Sequence, residues 1–254
     1  MPPTILNLAH HGDAAVDEMS LPKQERMISV LSDPLNGLDG KPDAILFSAG
    51  GNDIAGDQFS IFLDFNDGRA AGLNVDRFTK ALGSVEACYL DLFALRDRMA
   101  PGVPIFGHCY DFPIPNGAHP ACAGPWLKPS LDFCNWSVAQ GTTIVRDALA
   151  AFRLMQKRLV ADPVNNFHLV ETQDTLTRAE WANELHPVPG GSGRSRKSSP
   201  TRWRRKTRRG IRLMLPGHER AIGRSGWRKR GVYAGSSALG RGKPWIAGSL
   251  GSRE

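Results

Sequence analysis

AILFSAGGND, residues 44–53, gives the clearest indication of the fold of this chain. It begins with a continuous apolar run, which is typical of a strand buried on both faces of a parallel sheet. The run ends at two glycines and an Asn-Asp pair, a composition that indicates a tight turn. In open parallel sheets, ligands bind at the carboxyl ends of the strands. The stretch therefore predicts a parallel α/β sheet and the edge of that sheet where a site would lie.

Other segments extend this pattern in both directions. Three more strands are predicted at TILNLA (4–9), VPIFGHCY (103–110) and NFHLVET (166–172). Two long segments between them carry apolar residues at helical spacing, and a third helix is expected after Ser20 and Pro22. The residues at helical spacing are Phe78, Leu82, Val85, Tyr89, Leu92 and Met99 in one segment, and Val145, Leu149, Phe152, Met155 and Leu159 in the other. Alternation of strands and helices predicts an α/β domain with helices on both faces of the sheet.

Charge divides the 254 residues into two parts. Residues 1–186 hold 14 Lys and Arg against 23 Asp and Glu, whereas residues 187–254 hold 18 against 2. We therefore expect an acidic folded domain over residues 1–189 and a basic tail over residues 190–254, rich in Arg, Gly and Ser, that is disordered. No apolar run approaches the length of about 18 residues that a membrane-spanning helix needs.

Residues that could take part in catalysis or ligand binding follow the predicted strands. They are His10, His11 and Gly12 after the first strand, Gly50 to Asp53 after the second, His108 to Asp111 after the third, and Asn183 to His186 in the loop after the fourth. A glycine there lets the backbone approach a ligand, and an asparagine amide can donate to a developing oxyanion. By itself, however, Gly-Gly-Asn-Asp is more typical of a glycine turn with Asn at positive φ.

Taken together and in order, HHGDA (10–14), GGND (50–53) and NELHP (183–187) resemble the SGNH, or GDSL-type, hydrolases, which are esterases and lipases. The resemblance covers about residues 4–189. It implies a three-layer α/β/α sandwich with a mostly parallel, flavodoxin-like sheet. It also implies acyl-ester hydrolysis in which a serine attacks the carbonyl and His186 transfers the proton, while the Gly12 N–H and the Asn52 amide bind the oxyanion.

The match departs from the family at the partner of the histidine. Asn183 stands where the family has Asp, three residues before His186. A neutral amide can orient an imidazole but cannot stabilise imidazolium as a carboxylate does. Glu184, Glu180 or a backbone carbonyl are alternative partners.

The second departure removes the nucleophile. The Gly-Asp-Ser block that ends the family's first strand occurs nowhere in the sequence, so the resemblance implies a domain without its first strand, which lies inside the family's sheet. Ser48 lies in FSAGG, which is not the G-x-S-x-G turn of an exposed nucleophile, and a small core-facing role is expected for it. We therefore expect no nucleophile in this chain and little or no activity.

Neither a metal nor a cofactor is predicted. His108, Cys109, Asp111, His119 and Cys122 lie close in sequence, but their spacings fit no common ligand pattern. Cys88, Cys109, Cys122 and Cys134 form no C-x-x-C pair, so we expect reduced and mostly buried thiols. The chain starts without a signal-peptide pattern, which leaves the compartment unknown and cytoplasmic by default.

Three explanations of the basic tail remain open. The first is a shifted reading frame, because codons for residues 191–204 can also encode an amphipathic helix, which would be the family's last helix, absent here. The others are a disordered basic extension and a second folded domain. As written, the tail would bind nucleic acid weakly and non-specifically, with Trp203 or Trp227 able to stack on bases.

The function expected first is therefore an ester hydrolase domain acting on a small acyl ester. One alternative is a nucleic-acid-binding protein that acts through its tail. The other is a catalytically dead module that binds an acyl ligand.

Overall fold

The computed structural model describes residues 5–33, 41–118 and 124–188, together with the backbone of one strand at residues 213–215. It is an α/β structure with a small parallel sheet. The strands are β1 (Ile5–Asn7), β2 (Ala44–Phe47), β3 (Ile105–His108), β4 (Phe167–Val170) and β5 (Leu213–Leu215). The helices are α1 (Ala15–Glu18), α2 (Leu21–Ser32), α3 (Gly51–Ile54), α4 (Val75–Met99), α5 (Leu127–Phe133) and α6 (Val138–Ala161). Short 3-10 turns lie at Phe59–Phe62, Pro163–Asn165 and Arg178–Glu180.

The sheet has the order β1-β5-β2-β3-β4, with parallel pairing between all neighbours. Leu213 in β5 pairs with Ile5 of β1 on one side and with Ala44 of β2 on the other. The family resemblance implied a sheet without one internal strand, and the composition of residues 190–254 predicted a disordered tail. The strand at residues 213–215, which pairs with β1 and β2, differs from both expectations at this place. The rest of the tail lies outside the described residues.

The two long helices follow their apolar periods. The Asn74 side chain accepts a hydrogen bond from the Arg77 N–H at 3.0 Å and so caps the first turn of α4. Ser137 and Gln140 form a capping box at the start of α6. The predicted core residues of both helices are buried, except Met99, which is partly buried. Helical spacing of apolar residues therefore predicted both elements correctly.

The two faces of the sheet differ in burial. Tyr89 of α4 packs its ring against Phe47 and Phe167, and against Phe152 of α6, so both helices cover the same face. On the opposite face, Leu46, Phe106 and His168 are only partly buried. The continuous apolar runs predicted burial on both faces, and among the described residues this holds for the first face alone. Cover for the second face, and with it a third layer, stays a prediction.

A buried arginine joins the amino-terminal ends of β3 and β4. Arg96 is completely buried, and its guanidinium donates to the carbonyl oxygens of Val103 at 2.6 Å and Asn165 at 2.7 Å. Its Nε also donates to the Asp97 carboxylate at 2.6 Å. These hydrogen bonds compensate a guanidinium charge that would otherwise be costly to bury. They also hold the amino-terminal ends of β3 and β4, at the opposite end of the strands from the candidate site.

Candidate functional site

The Asn-Asp pair of α3 holds the loop that follows β1. Asn52 Nδ2 donates to the carbonyl oxygen of Asp13 at 3.0 Å, and Asp53 Oδ2 accepts the N–H of Ala15 at 2.8 Å. Burial raises the pKa of the Asp53 carboxyl, and the backbone N–H of Ala15 counteracts that rise. Gly12 lies in the same loop with a φ of +85°. The structure therefore brings together Gly12 and Asn52, the two residues predicted to bind an oxyanion.

Gly50 and Gly51 are required by close packing at the end of β2. Gly50 has a φ of +102°, and a Cβ there would lie 2.7 Å from the ring of Phe152. A Cβ on Gly51 would lie 2.6 Å from the ring of Tyr110. Since real Cβ atoms do not approach other atoms this closely, only glycine fits at either position. The turn thereby places Asn52 on the exposed surface beside the loop of Gly12.

Charged residues surround the Gly12 loop. Lys23 from α2 forms ion pairs with Asp13 and, at 3.5 Å, with Glu18. His10 Nδ1 lies 3.3 Å from Asp13 Oδ1. Burial raises the pKa of Glu18 to about 7, and the loss of hydration also lowers the pKa of Lys23. The loop is thus tied to α1 and α2 by a cluster whose charge depends on pH near neutrality.

His186 is oriented by Asn183, the residue that stands at the position where the family has Asp. Its Nδ1 lies 3.0 Å from Asn183 Oδ1, and the same oxygen accepts the N–H groups of Leu185 at 2.9 Å and His186 at 2.8 Å. Because an amide oxygen only accepts, Nδ1 carries the hydrogen and Nε2 carries the lone pair. The ring of Trp126 contacts the imidazole edge to face, with centroids 5.2 Å apart. Neutral His186 therefore has the tautomer that a general base needs.

The two glutamates named as alternative partners accept hydrogen bonds from other groups. Glu184 is fully buried, and its two oxygens accept N–H groups from Gly117 and from the first turn of α5. Glu180 accepts the N–H and the hydroxyl of Thr177 at 2.9 and 2.7 Å. The Glu184 carboxylate therefore binds backbone N–H groups of two distant segments, and the Glu180 carboxylate caps its own 3-10 turn. The predicted site residues therefore come together as two pairs, Gly12 with Asn52 and Asn183 with His186.

A contact that the sequence pattern did not predict lies at the ends of β2 and β3. Ser48 Oγ is 2.7 Å from His108 Nε2 and 3.4 Å from the hydroxyl of Tyr110. Ser48 is partly exposed and is therefore not the core-facing residue that was expected. The two residues are 60 positions apart in the sequence, so their contact could not be predicted from local spacing. Its signal was the placement of both residues at the ends of adjacent parallel strands.

Asp111 stabilises the loop that follows β4. Its Oδ1 accepts the N–H groups of Phe112 and Asp174, each at 2.7 Å. Its Oδ2 accepts the N–H groups of Thr175 at 3.0 Å and Leu176 at 2.8 Å. This carboxylate, considered above as a metal ligand, is therefore occupied by backbone N–H groups.

Within the described ranges, no group of three or more His, Cys, Asp or Glu residues could hold a metal ion. Cys88, Cys109 and Cys134 are free and buried, as predicted, whereas His119 and Cys122 lie outside the described residues. In the same part of the chain, none of the helices combines the length and the apolar character needed to cross a bilayer.

The predictions for Trp203, Trp227 and nucleic-acid binding by the tail fall outside the described residues. When the chain is compared with known proteins, no family model matches it and no curated protein matches it.

Proposed function

We propose that this chain is an ester hydrolase domain of the SGNH type, in which Gly12 and Asn52 bind the acyl oxygen and His186 transfers the proton. The observation that carries the proposal is the double contact of Asn52 and Asp53 with the loop of Gly12. Residues 52 and 53 bind residues 13 and 15, which lie about 38 positions earlier in the chain. Two sequence motifs predicted to work together are therefore in contact.

The Asn52 side chain retains a donor for a ligand. Its Nδ2 carries two hydrogens, and one of them is given to the Asp13 carbonyl. The second hydrogen is the one offered to an acyl oxygen, next to the exposed backbone of Gly12. A donor fixed before the reaction in this way lowers the barrier by about 3 kcal/mol, because no reorganisation is needed as the negative charge develops.

Asn183 and His186 are the residues of the proposed site that transfer the proton. Asn183 fixes the tautomer that leaves a lone pair on Nε2, so His186 can take a proton from a nucleophile and return it to the leaving alcohol. Asn183 is neutral and does not stabilise the imidazolium electrostatically. We therefore expect a weaker base than in a site with Asp at this position.

The absence of a Gly-Asp-Ser block limits turnover. In hydrolases of this kind, loss of the nucleophile reduces the catalytic constant by about a millionfold, and binding and oxyanion stabilisation supply what remains. β5 lies between β1 and β2, the place that the family resemblance gives to the strand preceding the nucleophile. The proposed site therefore binds an acyl ester and hydrolyses it slowly.

The test is hydrolysis of p-nitrophenyl acetate by the full chain and by two site variants, Asn52→Ala and His186→Gln. Two matched control residues, one just before β4 and one within it, lie away from the candidate site. Asn165 also donates its amide to a carbonyl, that of Leu159 at 2.8 Å, and His168 also pairs with an asparagine, Asn166, at 3.2 Å. We expect each site variant to lower the protein-dependent rate at least tenfold, while Asn165→Ala and His168→Gln leave it unchanged. Equal rates in all four variants would contradict the proposal.

A further inference from the structure

A hydroxyl and an imidazole form a polarised pair where β2 and β3 end. Ser48 Oγ lies 2.7 Å from His108 Nε2, and His108 Nδ1 lies 3.3 Å from the carbonyl oxygen of Cys109. Because a carbonyl only accepts, Nδ1 carries the hydrogen and Nε2 accepts the proton of Ser48. A serine hydroxyl that donates to a neutral imidazole, which is itself oriented by a third group, is the arrangement of an activated nucleophile.

A buried hydrogen-bond network fixes the backbone on both sides of this pair. The Tyr89 hydroxyl donates to the carbonyl of Ala49 at 3.0 Å, and Gln156 Nε2 donates to the carbonyl of His108 at 3.0 Å. Tyr89 and Gln156 are both fully buried, and Gln156 Nε2 also contacts the Tyr89 hydroxyl at 3.2 Å. The strand ends that carry Ser48 and His108 are therefore held before any ligand arrives, as a catalytic pair requires.

A third polar group lies beside the hydroxyl. The Tyr110 oxygen is 3.4 Å from Ser48 Oγ, and it accepts the N–H of Gly51. Burial raises the pKa of Tyr110, so its phenol stays protonated and acts as a donor. Ser48, His108 and Tyr110 are each only partly buried as whole residues.

We infer that Ser48 is a nucleophile for small activated acyl esters, with His108 as its general base and Tyr110 as a hydrogen-bond donor to the acyl oxygen. This inference rests on the proposed function only for the class of reaction. The Ser48 oxygen bonds to the acyl carbon while His108 Nε2 takes the hydroxyl proton. The ester C–O bond then breaks, and the leaving alcohol takes that proton. Water, deprotonated by His108, later releases the acid and restores the serine.

The experiment measures covalent labelling of the full chain by a fluorophosphonate, with the modified residue located by peptide mass mapping. The phosphonate forms a bond to the nucleophile and releases fluoride, which reports the same reactivity as an ester. We expect the adduct on Ser48, its loss in Ser48→Ala, and labelling at least a hundredfold slower in His108→Asn. Tyr110→Phe should slow labelling severalfold. Ser130→Ala is the matched control, because Ser130 also carries a bonded hydroxyl, which donates to Asp57 at 3.1 Å.

A purely structural contact would behave differently. The Ser48→Ala and His108→Asn variants would then change the unfolding temperature, and the wild-type chain would carry no adduct at Ser48. A folded wild-type chain without that adduct overturns the inference, as does a His108→Asn chain that is labelled at the wild-type rate. If Ser48→Ala does not fold, Ser48→Cys replaces it. Its thiol should react with iodoacetamide at neutral pH at least tenfold faster than buried Cys88, Cys109 and Cys134, and equal rates overturn the inference.

The same variants separate this inference from the proposed function. If Ser48 is labelled at the same rate in Asn52→Ala and His186→Gln as in the wild type, the inference is supported. The reaction at Ser48 then does not depend on the residues of the proposed site. Ester hydrolysis that depends on Asn52 and His186 but not on Ser48 overturns the inference and leaves the proposed function intact.

Discussion

His186 Nδ1 lies 3.0 Å from the Oδ1 of Asn183, in a loop where the same oxygen also caps two backbone N–H groups. A neutral amide thus does the positioning that a carboxylate performs in serine hydrolases with a Ser-His-Asp triad, without adding its charge. The two residues are three positions apart, and the loop between them is closed by hydrogen bonds from the N–H groups of Ala182 and Asn183 to the His186 carbonyl. It is therefore a suitable place to test what the charge would add.

Asn183→Asp should raise the midpoint at which His186 titrates by about one pH unit. The side chains have the same shape, and a carboxylate within hydrogen-bond distance favours the imidazolium form. The measurement is an NMR titration of the histidine ring protons. Asn166→Asp is the control, because it changes the partner of His168 and not that of His186. A His186 midpoint that is the same in both variants would contradict the contact.

Glu184→Gln should lower the free energy of unfolding by about 2 to 3 kcal/mol. The buried carboxylate accepts four backbone N–H groups, at 2.7 to 3.2 Å, and an amide nitrogen in place of one oxygen would face donors without a lone pair to offer. Denaturant unfolding measures the loss. Glu86→Gln, which removes only a surface ion pair with Arg158, should cost less than about 1 kcal/mol. Similar losses in the two variants would show that the Glu184 contacts contribute little.

The free energy of unfolding should fall as the pH rises from the unfolded to the folded pKa of Glu18. Its pKa is raised from 4.5 to about 7 in the folded chain, so between these values the folded state holds more protons than the unfolded state. The favourable contribution of neutral Glu18 is complete below about pH 4.5 and is lost as the pH approaches and passes 7. Lys23, at 3.5 Å, partly stabilises the carboxylate, so we expect a change of about 1 to 2 kcal/mol.

Thermal unfolding at pH 5 and pH 8 measures this contribution. Glu18→Gln should unfold at a higher temperature than the wild type at pH 8 and at nearly the same temperature at pH 5. Glu25→Gln, at an exposed position in α2, should keep the wild-type dependence. If Glu18→Gln loses stability between pH 5 and 8 as steeply as the wild type, Glu18 is not the group responsible.

Asp111→Asn should loosen the loop after β4. The Asp111 carboxylate accepts N–H groups from Asp174, Thr175 and Leu176, and one of its oxygens becomes a donor in the variant. Amide hydrogen exchange at these three residues should be about 10 to 100 times faster, because local opening costs less. Asp174→Asn, which removes a surface pair with Arg146, serves as the comparison. Unchanged exchange in Asp111→Asn would mean that other contacts hold the loop.

The elements that the sequence predicted well are those fixed by local periodicity. α4 and α6 were predicted because Phe78, Val85, Leu149 and Phe152 recur on one face of a helix, and that face is buried. The Asn183–His186 contact is also local, since the two residues are three positions apart, but the sequence left Glu180, Glu184 and a backbone carbonyl open as partners of His186. β2 was predicted because its apolar run is short and ends in glycine.

Contacts between distant segments were not predictable in this way. The strand at residues 213–215 lies in a region whose Arg and Gly content indicates no strand, and it forms because β1 and β2 offer unpaired backbone groups on both sides. The Ser48–His108 pair depends on the parallel alignment of β2 and β3, in which Phe47 pairs with Gly107. Neither composition nor spacing carries that register.

The α/β class, the two long helices and the turn glycines follow from the amino-acid sequence, because each depends on the preferences of a few consecutive residues. Which polar groups share a site depends instead on how distant segments pack together. Asn52 meets the Gly12 loop, Glu184 meets the start of α5, and Ser48 meets His108 because packing brings segments 38 to 67 residues apart into hydrogen-bond distance. Such contacts form when the whole core packs together, so no single segment of the sequence encodes them.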